Sequence, residues 1–300
     1  MTPRTCDKLL AAFAGTVWLI RPEKGRQILE FLQIRNSGVV FSAEAVAART
    51  EERTKRDIFY QVVGSTAVIP VHGIISQRVD MFTHVSADGS STQRISQDFD
   101  AAMADKDVKA IVLDIDSPGG SSFGVQELSD KIYNARGKKP IISVVNSEMA
   151  SAAYWIGSAA DKIVATPSSW AGSVGVYMLH SDYSRSEAND GVVNTFIKAG
   201  KYKTEGNPLE PLSSDARDDL QQKVNLIYAD FLASLTRNRG KIAARNNFGD
   251  GRMFLAKEAL EARLIDEIGT LEGVVSQMQT SSGRRRSMEA MNREIEILTL

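Results

Sequence analysis

The apolar positions change period several times along the chain, and each change marks an element. "STAVIPVHGII" (65–75) is a β-branched run broken at Gly73, and "KAIVLDID" (109–116) and "PIISVV" (140–145) continue the strand signal, so all three predict strands. Between them the period lengthens. "TQRISQDFDAAMAD" (92–105) spaces Ile95, Phe99 and Met103 four apart, and "GVQELSDKIYNA" (124–135) brings Val125, Leu128 and Ile132 to one face, which predicts two amphipathic helices. Short strands are expected again in "KIVATP" (162–167), "SVGVYML" (173–179) and "NTFIKA" (194–199). A long helix follows over 213–240, with serines and aspartates at its start and Arg237, Arg239 and Gly240 at its end, and a shorter one begins near Leu255. Strands alternating with amphipathic helices imply an α/β fold.

The two ends have a different character. Residues 1–56 read as a helical, basic N-terminal extension, ten Lys/Arg against six Asp/Glu, which the charged stretch "RTEERTKR" (49–56) joins as a solvated linker to a main domain over 57–276. Its apolar run "LLAAFAGTVWLI" (9–20) follows Arg4 and Lys8 as a signal-peptide core would. Asp7 interrupts the basic flank, however, and Arg21 follows directly with no small-x-small site. The twelve residues of the run also fall short of the roughly 20 that span a bilayer. It is therefore read as a buried or partner-docking helix. From 277 to 300 the chain is polar and then charged, a tail whose arginine triplet at 284–286 reads as a solvated linker.

Composition narrows the function. With 43% apolar and 24% charged residues the 300-residue chain is expected to be a soluble globular protein, and a net charge of −1 excludes the dominant basic footprint of a nucleic-acid binder. Cys6 is the single cysteine, so no internal disulfide can form, and a reducing compartment fits. No HExxH, paired CxxC or GxxxxGK[ST] occurs, and no metal or nucleotide cofactor is expected.

Two stretches carry candidate chemistry. In "DIDSPGG" (114–120) an apolar strand runs into Pro118 and two glycines, a turn that can present bare backbone N–H groups to a carbonyl, or can simply connect a strand to a helix. In "NSEMASAAYW" (146–155) a strand and a polar turn lead to Ser151 at a helix start, where serine also serves as an ordinary N-cap. A cap needs no small neighbours. Ala150, Ala152 and Ala153 would let a substrate backbone approach the hydroxyl, and the Ala152 N–H and Gly120 could face a developing oxyanion. The base is open between a histidine and a lysine. His72, His84 and His180 are the only histidines, with His180 in "LHSDY" the best placed of them; "IKAGKYKTEGNP" (197–208) offers Lys198, Lys201 and Lys203, and spacing does not choose among these.

"DSPGG", "MASAAYW", "AADKIVATPSSWAGSVGV" and "IKAGKYKTEGNP", in this order over residues 60–275, resemble the signal peptide peptidase A family of Ser/Lys proteases. "HSDY" and "KYKTEGNP" are most similar to its branch of bacteriophage head maturation proteases, the capsid-assembly protein C type. The resemblance implies a Clp protease/crotonase-like spiral of ββα units. By position it implies Ser151 as nucleophile, Lys203 as general base, Ser173 orienting the lysine, and Gly120 with Ala152 as oxyanion donors. It further implies a homo-oligomeric ring whose neighbouring subunits complete each site, peptide substrates bound as extended strands, and a cytoplasmic endopeptidase cutting scaffold, portal or itself within proheads. Two alternatives stand beside it: a bacterial signal-peptide-degrading peptidase, and a non-catalytic capsid component that keeps the fold.

Overall fold

The computed structural model describes residues 16–36, 60–78, 89–240 and 250–280. Cys6, His84, the charged stretch 49–56 and the arginine triplet 284–286 lie outside the described residues.

The first strand run becomes β3 (Thr66–His72) and, after Gly73, β4 (Ile74–Ser76); β5 (Gly89–Ser91) follows and leads into α2 (Thr92–Ala104). The pattern then repeats, with β6 (Ala110–Ser117) passing into β7 (Gly119–Ser121) and α3 (Val125–Ala135). A third pass runs from β8 (Ile141–Ala150) into α4 (Ala152–Gly157). The long strands pair in parallel, β3 with β6 and β6 with β8, while β4 and β7 pair in parallel in a second, smaller sheet. This is the ββα spiral that the family resemblance implies, and it fits the α/β alternation of periods. Both faces of the main sheet are covered, so β6 is buried at every position except Asp116, and its first half, Ala110–Leu113, is apolar on both faces instead of alternating.

Around that spiral the main sheet continues with β9 (Lys162–Ala165), β10 (Trp170–Gly172), β11 (Met253–Leu255) and β12 (Glu267–Ile268), and on its other side with β2 (Gln61–Val63). α5 (Ser184–Asn189) and the 26-residue α6 (Ser214–Arg239) follow β10, and α7 (Ala256–Glu261) follows β11. The Ser213 side chain caps α6 by accepting from the Ala216 N–H at 3.1 Å. Phe231 of α6 stacks on Trp155 of α4, centroids 4.6 Å apart, an aromatic pair worth about 1 kcal/mol beyond its burial.

Three expectations need correction. "NSEMA" is the end of the ten-residue β8 and not a turn, because Glu148, Met149 and Ala150 find parallel partners in β10. The segments 173–179 and 194–199 form no regular strands; Tyr177 makes one isolated bridge, and Ile197 is fully exposed. Of the helix expected over 9–20, residues 9–15 lie outside the described residues and Trp18–Ile20 is a strand, β1, since aromatic and β-branched residues beside an open sheet edge gain more from pairing than from a helical turn. β1 pairs antiparallel with β7, and α1 (Pro22–Asn36) follows it, so Trp18, Leu19, Ile20 and Ile28 of the expected extension are buried.

Candidate active site

Ser151 stands where β8 ends and α4 begins, with φ 54° and ψ −112°. A side chain in that conformation is strained, and neighbours must hold it. Its N–H donates to the Gly172 carbonyl at 2.9 Å and its own carbonyl accepts from Trp155 N–H at 2.9 Å. The hydroxyl makes no capping bond; its one partner among the described residues is the Gly175 carbonyl at a long 3.4 Å. An N-cap serine would use its oxygen on the helix, so this hydroxyl is left available to other chemistry. Ala150, Ala152 and Ala153 are all fully buried around it. Ala152, as the first residue of α4, has no intrahelical acceptor for its N–H.

Ser173 leaves β10 as Ser151 leaves β8. Gly172 is in register with Ala150, and Ser173 also has φ 54°, its N–H donating to the Arg252 carbonyl at 2.7 Å. The PGG segment lies beside this pair. The Gly119 N–H donates to Ser117 Oγ at 3.2 Å, and that hydroxyl donates to the Gly73 carbonyl at 2.6 Å. A Cβ on Gly119 would fall 2.1 Å from the Leu19 carbonyl oxygen and 3.0 Å from that of Ala150, and one on Gly120 would fall 1.8 Å from the Ile75 carbonyl oxygen. Only glycine lets three backbones come this close.

The three lysines differ in what they hold. Lys198 donates to Thr204 Oγ1 at 2.9 Å and lies 3.6 Å from Glu205. Lys201 is paired with Asp215 at 2.6 Å, and that hydrogen bond keeps its amine charged well above the usual lysine range. Lys203 is exposed and, among the described residues, its amine has neither hydrogen bond nor ion pair. Within one subunit no bond among the described residues links Lys203 to Ser151, which is only 1% exposed. The two described histidines are engaged elsewhere: His180 Nε2 lies 3.0 Å from the Asn207 carbonyl, and His72 Nε2 lies 3.1 Å from Asp114 Oδ2.

Sequence reasoning missed the β1 contacts. Arg21, directly after β1, donates to Glu148 Oε1 at 2.7 Å, tying that strand to β8 three residues before Ser151, and this pairing holds the guanidinium charge more firmly than usual. The available signal was an isolated arginine closing an apolar run, which pointed only to the run's end.

The description of peptidase family S49 matches residues 134–284. The head-tail preconnector protein GP5 of Enterobacteria phage P21 is 32% identical over 254 residues, covering 83% of this chain and 50% of that protein. Capsid assembly protease C of Escherichia phage lambda is 29% identical over 76% of this chain and 52% of its own length, and protease 4 of Haemophilus influenzae is 27% identical over 80% and 38%. The chain spans about half the length of the curated relatives it matches. A solved enoyl-CoA hydratase/isomerase family member superposes with a TM-score of 0.43 at 16% identity, over 80% of this chain and 83% of that one, a likeness too slight to carry an argument.

Proposed function

Because the chain belongs to peptidase family S49, we propose that it is a serine endopeptidase in which Ser151 is the nucleophile and Lys203 the general base. The observation that carries this reading is the Ser151 backbone: a buried serine at φ 54° whose hydroxyl is spent on no cap, packed among three alanines. The Lys203 amine takes the Ser151 proton as Oγ attacks the scissile carbonyl. The Ala152 and Gly120 N–H groups hold the oxyanion, and the lysine then returns the proton to the leaving amine. Water, deprotonated by the same lysine, hydrolyses the ester and frees Ser151.

Lysine can serve as a base only when a dry surrounding disfavours its charge. The exposed Lys203 of one subunit lacks that surrounding, and the stretch of chain leading to it exposes apolar residues: Val193 is 88% exposed, Ile197 100% and Tyr202 51%. Packing this segment against a second copy of the chain would bury the amine and carry it to a serine, with Ser173 orienting it. A homo-oligomeric ring supplies such a contact.

Relatives named for head-tail connection and capsid assembly favour a protein substrate of phage head maturation, scaffold, portal or the chain itself, cut in the host cytoplasm. No helix among the described residues is long and apolar enough to cross a membrane. The test is co-expression of the chain, or of Ser151→Ala and Lys203→Ala, with scaffold. Processing by the native chain alone is expected; normal processing by both variants would reject the pair.

A further inference from the structure

We infer that β1 is an internal occupant of the substrate cleft: residues 17–21 lie as an extended peptide beside Ser151 and have to withdraw before the site can take another chain. The inference rests on the protease reading above for its consequence, but its geometry stands separately.

β1 is hydrogen-bonded along both edges. On one side it runs antiparallel to β7, with Arg21 N–H donating to the Pro118 carbonyl at 3.0 Å and Ser122 N–H to the Val17 carbonyl at 3.1 Å. On the other, Trp18 N–H donates to the Tyr177 carbonyl at 2.9 Å and Tyr177 N–H returns a bond to the Trp18 carbonyl at 3.1 Å. Antiparallel bonds fall at alternate pairs, so between the Arg21/Pro118 and Val17/Ser122 positions the next bonded pair is Leu19 with Gly120. That aims the Gly120 N–H, the proposed oxyanion donor, at the Leu19 carbonyl. The Leu19 and Ala150 carbonyl oxygens both lie within 3.0 Å of the same point above Gly119, one residue from the nucleophile.

A peptide held on both edges, its carbonyl on the oxyanion donor, has the pose of a bound substrate. Its side chains report what the cleft accepts. Leu19 is fully buried in the cluster that holds Met149, Ala152 and Ala153, while Trp18 and Ile20 point the other way onto Ile28 and Ile74. Arg21 reaches Glu148. The cleft thus fits an extended segment with an aliphatic residue at the Leu19 position and a cation two residues later.

The test uses the full chain and two readouts: the rate at which a small fluorophosphonate labels Ser151, and hydrolysis of a fluorogenic peptide copying residues 15–23. Leu19→Asp cannot keep its carboxylate in the aliphatic cluster, so the folded variant should show both rates raised several-fold. Equal or lower rates in a folded Leu19→Asp chain would overturn the inference. Should that variant not fold, amide exchange on Ser151→Ala decides: the same peptide, added in excess, should speed exchange at residues 18–20 at least tenfold while 119–121 stay protected. Unchanged exchange at 18–20 would overturn it equally. The two ideas fail separately. If Ser151 labels equally in the native chain and Leu19→Asp, the protease reading stands and the occupancy falls; if the peptide displaces β1 but Ser151 is never labelled, the reverse holds.

Discussion

Ser151 and Ser173 leave neighbouring parallel strands at the same level, both with φ 54°, and the Ser151 N–H is bonded to the carbonyl of Gly172, the residue before Ser173. Two serines turned out of the ordinary backbone range at matched positions give the site a fixed frame before any base arrives. Each serine carries the strain in its own φ, just past the end of the strand it leaves.

That strain predicts an ordering of variants. Ser151→Ala should abolish peptide hydrolysis, a loss of about 10³-fold or more, with the fold retained because the hydroxyl makes only the long bond to Gly175 among the described residues. Ser151→Gly should be equally inactive but more stable than Ser151→Ala by about 1–2 kcal/mol, since glycine relieves the positive φ. Denaturant titration of the two variants checks this.

Gly120 has no room for a side chain. Gly120→Ala would drive a methyl to 1.8 Å from the Ile75 carbonyl oxygen, and backbone, unlike a side-chain tip, cannot swing aside. The expected cost is at least about 3 kcal/mol, together with loss of activity, read from thermal unfolding and peptide turnover.

The fold was legible because its strands and helices are long and differ in period: β3, β6, α2, α3 and α6 lie where the pattern predicts them. Elements that depend on partners were not. Trp18–Ile20 is apolar in helix and strand alike, and only the open edge of β7 decides between them. Residues 194–199 have the composition of a strand and form none. At the site, the alanines around Ser151 pointed to an approachable hydroxyl; the fold packs them closely around it and leaves Ser151 only 1% exposed. Spacing left Lys198, Lys201 and Lys203 equivalent; what separates them is the pairing of the first two with Glu205 and Asp215, contacts made through the folding of the loop.

Alkaline pH should weaken the chain through Tyr177. Burial pushes its phenol from the ordinary value of 10.0 up to about 12, so the folded state keeps a proton that the unfolded state gives up earlier. Stability is therefore full below pH 10.0 and falls as pH rises toward about 12. Burial shifts the fully buried Tyr154 in the same direction, so Tyr177→Phe should flatten this fall only in part. Urea midpoints measured below and within that window, for both chains, give the comparison.

The central claim is that Lys203 activates Ser151, and the most direct measurement is peptide mapping of the assembled chain after brief fluorophosphonate treatment. The account predicts an adduct on Ser151 in the native chain and in Lys201→Ala, and a rate at least tenfold lower in Lys203→Ala. An adduct on another residue, or equal labelling of Ser151 with Lys203 removed, would contradict it.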